Sequence, residues 1–301
     1  MELWIPITIF AAFMQNVRSA LQKYLKGRLS TSGATYTRFV FGAPIAVIYL
    51  AALLGPGGYS QPGPNGWFAA YAVVGGLSQI LGTFLLVYLF SFRNFAVGTA
   101  FSKTETIQTA MFGIVVLGEV VGLGAMLGII VSLIGVIMLS VTKPDAGPLG
   151  ILKQCFERPA LIGMAAGGFY GVSAITYRAA SLSLDDGDFI IRAAFTLACV
   201  TVFQTMVMSA YMKVREPGQI STVFRNWRVA GLVGISGVLG SAGWFTAMTL
   251  QNAAYVRALG QIELIFTFAF AYIFFKERAS RTEVAGIVFV AGGILLLLLW
   301  R

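Results

Sequence analysis

The chain has no histidine, only two cysteines, and few charged residues, which make up 11% of its 301 positions. These shortages exclude a zinc site of the usual Cys/His kind and a disulfide framework. The sequence also lacks a glycine-rich phosphate loop before a lysine and a nucleophile elbow. We therefore expect no catalytic residues, no metal and no cofactor, and we predict that the protein is not an enzyme.

The scarcity of charge accompanies an excess of apolar residues. A soluble domain carries about 25% charged residues, whereas this chain is 57% hydrophobic and has a mean hydropathy of +0.82. A formal charge of +9 would favour a nucleic-acid partner in a soluble protein. Here the basic residues lie mostly in loops between apolar segments, which indicates orientation in a lipid bilayer and no nucleic-acid partner.

Ten segments approach the length of about 20 mainly apolar residues that a membrane-spanning helix needs. The predicted spans are roughly Leu3–Tyr24, Ala34–Leu54, Trp67–Phe90, Phe95–Leu117, Gly122–Thr142, Ala160–Arg178, Phe189–Met212, Val229–Leu250, Ala254–Phe275 and Thr282–Trp300. Glycine, proline and aspartate punctuate the breaks between them. We assign residues 1–142 and 159–301 to two five-helix units joined by a connecting loop at 143–158.

The two units repeat each other at a shift of 158 residues without a gap. Asn94, Glu105, Glu119, Gly128 and Gly135 recur at that shift as Asn252, Glu263, Glu277, Gly286 and Gly293. Because each unit has an odd number of helices, the second copy must start from the opposite side of the membrane. A duplicated membrane unit of this kind is typical of secondary transporters.

Loop charges are consistent with this inversion. The loop after helix 1 is basic, whereas its counterpart after helix 6 contains Asp185, Asp186 and Asp188. Equivalent loops of inverted halves should have opposite charge bias. The predicted fold is therefore an all-α integral membrane protein of ten transmembrane helices, arranged as two inverted five-helix repeats around a central cavity.

Two matching motifs carry a family resemblance. Leu117-Gly118-Glu119 precedes Gly128 and Gly135, and Phe275-Lys276-Glu277 precedes Gly286 and Gly293. This pattern resembles the EamA repeat of the drug/metabolite transporter superfamily, and within it the YddG-type amino acid exporters. The resemblance implies ten helices around a cavity, with helices 5 and 10 peripheral at a possible dimer face. Glu105 and Glu263 lack the following proline of many EamA repeats, so no proline kink is expected there.

Ionisable residues inside the predicted spans are the first site candidates. A charge at the bilayer centre costs about 2.5–3.5 kcal/mol on insertion scales, so it usually has a partner or a role. Glu105 follows Lys103, and Glu263 follows Gln261. These groups could bind the ammonium and carboxylate of a zwitterion, or the glutamates could simply cap or tie neighbouring helices.

Helix 1 adds a polar stripe in which Gln15 and Arg18 lie at helical spacing. The stripe could line a cavity or join helices. Arg18 could bind a carboxylate or extend towards the cytoplasmic face. Helices 3 and 8 contribute a polar surface beside aromatic residues, which would suit an amphipathic solute, although aromatics commonly face lipid. The predicted substrate-binding residues are Gln15, Arg18, Gln79, Thr83, Lys103, Glu105, Ser241, Trp244, Gln261 and Glu263.

These observations favour a secondary transporter, a monomer or homodimer in a bacterial-type inner (plasma) membrane. It would export small polar metabolites, most of all amino acids, by alternating access. One alternative is a proton-coupled exporter of drugs or organic cations, in which Glu105 and Glu263 bind the cation. A non-transporting membrane scaffold or sensor is the alternative of another class.

The loop charges also predict which side each terminus faces. Fourteen of the 21 Lys and Arg residues lie in the loops after helices 1, 3, 5, 7 and 9. Because basic loops remain in the cytoplasm, both termini should face outward. A reporter enzyme that is active only in the cytoplasm should be inactive when fused after Arg301. Activity of that fusion would reverse the predicted orientation.

Overall fold

The computed structural model describes residues 2–92, 101–140, 156–266 and 281–300, and all regular structure in these ranges is helical. A 3-10 turn, Ser102–Thr104, precedes α5. The α-helices are α1 (Trp4–Leu25), α2 (Thr31–Val40), α3 (Gly42–Leu54), α4 (Gly66–Leu89), α5 (Glu105–Leu117), α6 (Leu123–Ser140), α7 (Arg158–Leu182), α8 (Phe189–Arg215), α9 (Gln219–Arg225), α10 (Trp227–Leu250), α11 (Ala253–Gly260) and α12 (Arg281–Leu299).

Local chemistry explains where several helices begin and end. Ser30 accepts a hydrogen bond from the backbone nitrogen of Gly33 at 3.0 Å, and Asn65 accepts one from Phe68 at 2.8 Å. Such side chains satisfy amide groups that have no partner in a helix's first turn. Gly118 ends α5 with a φ of 62°, a left-handed conformation that glycine adopts without steric cost. The Gly-Glu turn of the sequence motif is therefore a helix termination.

Five of the helical segments are long and apolar enough to cross a membrane, and two shorter ones are also apolar. The five are Thr31–Leu54, Gly66–Leu89, Arg158–Leu182, Phe189–Arg215 and Trp227–Leu250; the shorter ones are Leu123–Leu139 and Val284–Leu299. Helix α1 is 22 residues long, but its row of amides and basic residues lowers its apolar content. The chain is a multi-pass membrane protein by these criteria and by the distribution of polarity described next.

The polarity of the helix bundle is the reverse of that in a soluble protein. Large apolar side chains face outward, as Ile48 (67% exposed) and Val115 (82% exposed) illustrate. Charged side chains are buried, among them Arg18, Glu105 and Arg257. Lipid tails accept apolar side chains as readily as a protein interior does, whereas charges in a membrane protein turn towards the interior of the bundle.

The two halves contact each other through pairs of helices that the 158-residue shift relates. Helix α1 packs on α10, and α4 packs on α7; the shift maps each pair onto the other. Helices α6 and α12, which are equivalent, run antiparallel. A Cβ placed on Gly128 would lie 2.6 Å from the carbonyl oxygen of Gly293, and one on Gly135 would lie 2.6 Å from that of Gly286. Glycine therefore allows these backbones to touch.

Helical structure is interrupted at equivalent places in the predicted spans Phe95–Leu117 and Ala254–Phe275. The 3-10 turn at Ser102–Thr104 lies just before Glu105. Helix α11 stops at Gly260, and residues 262–266 are helical again after a turn at Gln261. Neither break contains a proline. Backbone hydrogen bonds that span three residues tighten the chain at both places instead. Residues 95–100 and 267–275 of these spans lie outside the described residues.

The contact between α6 and α12 yields a paired test. Gly293→Ala should lower the melting temperature of the purified protein, because the new Cβ would lie 2.5 Å from the backbone oxygen of Gly128. Overpacking of this kind costs about 1–3 kcal/mol. The control is Gly292→Ala, where an added Cβ meets nothing within 4 Å. Equal melting temperatures of the two variants, measured in one detergent, would contradict the close packing.

Candidate functional site: a charged cavity between the two halves

A cavity lies between the two halves, at the middle of the long helices. Its wall combines basic, acidic and neutral polar side chains with a few aromatic ones. The lining residues are Gln15, Arg18, Arg38, Gln79, Leu86, Ser102, Lys103, Glu105, Tyr170, Tyr177, Ser241, Trp244, Phe245, Met248 and Arg257. Residues from both repeats contribute, so the cavity exists only when the halves are packed together.

One ion pair joins the first repeat to the glutamate of the second. The ammonium group of Lys103 contacts Glu263 Oε1, and both side chains are about nine-tenths buried. Gln15 Nε2 donates a hydrogen bond of 2.8 Å to the other carboxylate oxygen of Glu263. Glu263 thus anchors α1 and the segment before α5, and it lies behind the residues that form the cavity wall.

The equivalent glutamate is bound in the opposite sense. Glu105, in the first repeat, accepts a hydrogen bond of 3.3 Å from Arg257 Nη1 in the second repeat. The guanidinium carbon of Arg257 also lies 4.7 Å from the ring centre of Trp244, a cation–π distance. Each repeat therefore supplies the base for the other repeat's glutamate.

A third basic side chain bridges the repeats through hydroxyl groups. Arg38 Nη1 donates to Thr83 Oγ1 at 3.0 Å, and Arg38 Nη2 donates to Ser241 Oγ at 3.3 Å. Thr83 and Ser241 are equivalent positions under the 158-residue shift. Arg38 is buried, yet both of these partners are neutral, so they leave its charge uncompensated.

Arg18 is a second buried arginine outside the ion pairs found among the described residues. Its side chain is 1% exposed, and its Nε has no hydrogen-bond partner among the residues the structure describes. A Cβ placed on Gly237 would lie 3.6 Å from Arg18 Cδ and 3.3 Å from Arg38 Cγ. The two arginines therefore pass side by side over a glycine that leaves them room.

Neutral polar groups complete one wall. Gln79 Oε1 lies 3.1 Å from the hydroxyl of Tyr177 and accepts a hydrogen bond of 3.0 Å from Gln204 Nε2. Tyr170 donates to Thr83 at 3.2 Å. Such a network holds buried polar groups in fixed orientation because each has a partner. The wall is therefore preformed, as small-molecule sites usually are.

The structure separates the predicted site residues into two groups. Seven lie on the cavity wall: Gln15, Arg18, Gln79, Lys103, Glu105, Ser241 and Trp244. Thr83 and Glu263 stand behind it as hydrogen-bond partners of wall residues. Gln261 is also off the wall. It donates to Thr106 Oγ1 at 2.8 Å and accepts from Ser132, so it joins helices instead.

Eight wall residues were not on the predicted list, and four of them carry a charge or a phenol hydroxyl: Arg38, Arg257, Tyr170 and Tyr177. A signal existed for both arginines, because each is a charged residue within a predicted span and such residues are rarely without a role. The tyrosines offered no such signal, since an aromatic residue in a membrane helix can face lipid equally well. Within the described ranges, no group of three or more acidic or sulfur side chains is placed to hold a metal ion.

A separate cluster ties the halves at one end of the bundle. The Arg178 guanidinium pairs with Glu119 in the turn after α5. It also donates to the carbonyl oxygens of Met248 and Gln251 at 2.5 and 2.8 Å, where α10 ends. A cation at a helix C-terminus is favourable because the last carbonyls have no partner within the helix.

Two similar helical halves around a buried charged cavity are the architecture of a secondary transporter. The model of the EamA-like transporter family matches residues 2–141 and 158–299, once in each half. The chain belongs to this family of the drug/metabolite transporter superfamily. A protein of solved structure, described only as a crystal structure of a protein, matches with a TM-score of 0.72 and 15% identity over 99% of this chain and 98% of its own. That likeness shows the fold alone. No curated protein matches the chain.

The ion pair between Glu105 and Arg257 can be measured as a coupling energy. Glu105→Gln should destabilise the protein by about 3 kcal/mol, because it leaves the buried Arg257 without its carboxylate. Adding Arg257→Gln should recover part of that loss. The double-mutant cycle is read from unfolding midpoints in detergent. Additive effects of the two single changes would show that the groups do not interact.

Proposed function

We propose that the protein is a secondary transporter that moves small polar metabolites through the central cavity by alternating access. The main support for this proposal is the buried, charged cavity, which residues of both repeats line. Burying six charged side chains is costly in a structural core, and that cost is expected where a polar solute must cross. Family membership supports transport as the class of activity.

We further propose ten membrane-spanning segments in two inverted units, residues 1–142 and 159–301, joined by 143–158. The antiparallel course of the equivalent helices α6 and α12 supports this arrangement. So does the approach of α2 to α8, also equivalent under the shift, in which the Tyr36 hydroxyl lies 2.6 Å from Ser209 Oγ. The opposite charge of equivalent loops is also consistent with inverted units. On that basis both termini face outward from an inner membrane.

Contacts at the two ends of the bundle provide candidate gates. The Arg178 cluster lies at one end, where α10 finishes beside the start of α1. At the opposite end, Ser30 donates to Glu216 at 2.5 Å, which holds the segment after α1 to the end of α8. Alternating access requires one end to open while the other stays closed, and polar contacts that water can replace suit that purpose.

The cavity favours a solute that carries a carboxylate. A guanidinium binds a carboxylate through two parallel hydrogen bonds, and Arg18 has a buried Nε without a partner among the described residues. Amino acids therefore remain the proposed substrates, with export as the proposed direction. A lipophilic cation is less well served, because Glu105 and Glu263 already contact basic side chains.

Reconstituted protein should exchange at least one labelled small polar metabolite across liposome membranes at least tenfold faster than protein-free liposomes. The physical reason is that the chamber replaces the solute's hydration with fixed polar groups, which removes the cost of crossing the lipid. The measurement is counterflow of a panel of labelled amino acids, small organic anions and cationic drugs. Absence of movement for every solute would argue against transport.

Cysteine labelling separates a transporter from a non-transporting scaffold in the same preparation. In a background without native cysteines, Gln15→Cys and Gln79→Cys should react with a water-soluble thiol reagent because both positions line the cavity. Gln261→Cys is the matched control and should stay unreactive, since Gln261 lies between helices. Equal protection of all three would favour a closed scaffold.

A further inference from the structure

The cavity contains more positive than negative groups. Arg18, Arg38, Lys103 and Arg257 are its basic side chains, all at most 8% exposed. Glu105 is the acidic residue on the described wall, and Glu263 stands directly behind Lys103. Among the described residues, four cations against two anions leave two positive charges without a carboxylate.

Arg18 and Arg38 are the two basic wall residues that form no ion pair with a described residue. Three ion pairs are found among the described residues, and neither arginine takes part in them. Arg38 contacts two hydroxyls, and Arg18 Nε has no partner there. Because arginine stays protonated in proteins, both guanidiniums remain charged in the empty cavity.

Two like charges side by side are costly in a low-dielectric interior. Arg18 and Arg38 nevertheless converge on Gly237, which has no side chain to separate them. A scaffold selected only for stability would place a carboxylate or an apolar residue here. The arrangement makes sense when an anion from solution binds to the two arginines.

We propose that the transported solute is a small organic dianion, a dicarboxylate or a phosphate monoester, bound between Arg18 and Arg38. This assignment rests on the proposed transport function and replaces amino acids with dianions as the transported solute. Guanidinium groups bind carboxylate and phosphate oxygens through paired hydrogen bonds. Two bound negative charges would balance the two uncompensated cations, whereas a zwitterion would leave both and a cation would add a third.

The first test measures binding by the shift in melting temperature of the purified full chain. Succinate and glycerol 3-phosphate should raise the melting temperature, whereas leucine and tetraphenylphosphonium should not. Arg18→Gln should weaken the binding of the dianion at least tenfold. The same variant should melt at an equal or higher temperature when empty, because an uncompensated buried cation is removed. A purely structural role for Arg18 predicts the reverse, a lower melting temperature of the empty protein.

Arg28→Gln is the matched control, since it removes one positive charge from an exposed loop residue and should leave dianion binding unchanged. Arg18→Lys keeps the charge but loses the paired geometry, so intermediate affinity is expected. A preference for succinate or for glycerol 3-phosphate then identifies the dicarboxylate or the phosphate monoester.

Counterflow in liposomes distinguishes failure of this assignment from failure of the proposed function. Exchange of a dianion by wild type and Arg28→Gln, but not by Arg18→Gln, would support both. Exchange of leucine without any dianion would overturn the dianion assignment and leave transport intact. If a dianion stabilises the protein but never crosses the membrane, transport is refuted, whereas selective binding of dianions by the cavity still holds. Absence of stabilisation by either dianion would overturn the assignment.

Discussion

The burial of charge between the two halves is the constraint on which the centre of this protein depends. A carboxylate in a low-dielectric interior needs a cation and hydrogen bonds around it. Glu105 and Glu263 each obtain their base from the opposite repeat. Separation of the halves would therefore expose or unpair both glutamates at once. The contacts that hold the chamber closed are the same contacts that a relative movement of the repeats must rearrange, which couples the shape of the cavity to its electrostatics.

The chain places asymmetric chemistry on a symmetric framework. The glutamates occupy equivalent positions, and so do Thr83 and Ser241, which bind the two arms of Arg38. The arginines have no such counterparts, since the shift maps Arg18 onto Thr176 and Arg38 onto Thr196. The duplicated backbone thus supplies the chamber, and substitutions within one copy supply its excess of positive charge. The charge on the cavity wall is therefore distributed asymmetrically, although the surrounding helices are related by the repeat.

The membrane limits how such a chamber can be built. Backbone amides and carbonyls need partners in lipid, so irregular backbone is tolerated only where protein or water covers it. The two interruptions lie next to Glu105 and Glu263, at the centre of the bundle and not at its lipid-facing surface. Close packing elsewhere comes from glycine, as at Gly128 and Gly293, where backbone meets backbone. Rigid antiparallel contacts at the periphery and looser polar contacts at the centre are consistent with halves that move as units.

Local properties of the sequence determined the membrane class, the helical segments and the duplication, because apolar length, loop charge and a constant shift are all encoded along the chain. They also marked Glu105, Glu263 and Arg18 as candidate site residues, since a charge in lipid is costly wherever it lies. Only the tertiary structure decided the partners. Lys103 is two residues from Glu105 in sequence, yet it contacts Glu263, because the repeats cross and bring distant helix breaks together. Sequence proximity carries no information about which helix faces which, and so the excess charge of the cavity became visible only after the halves were packed.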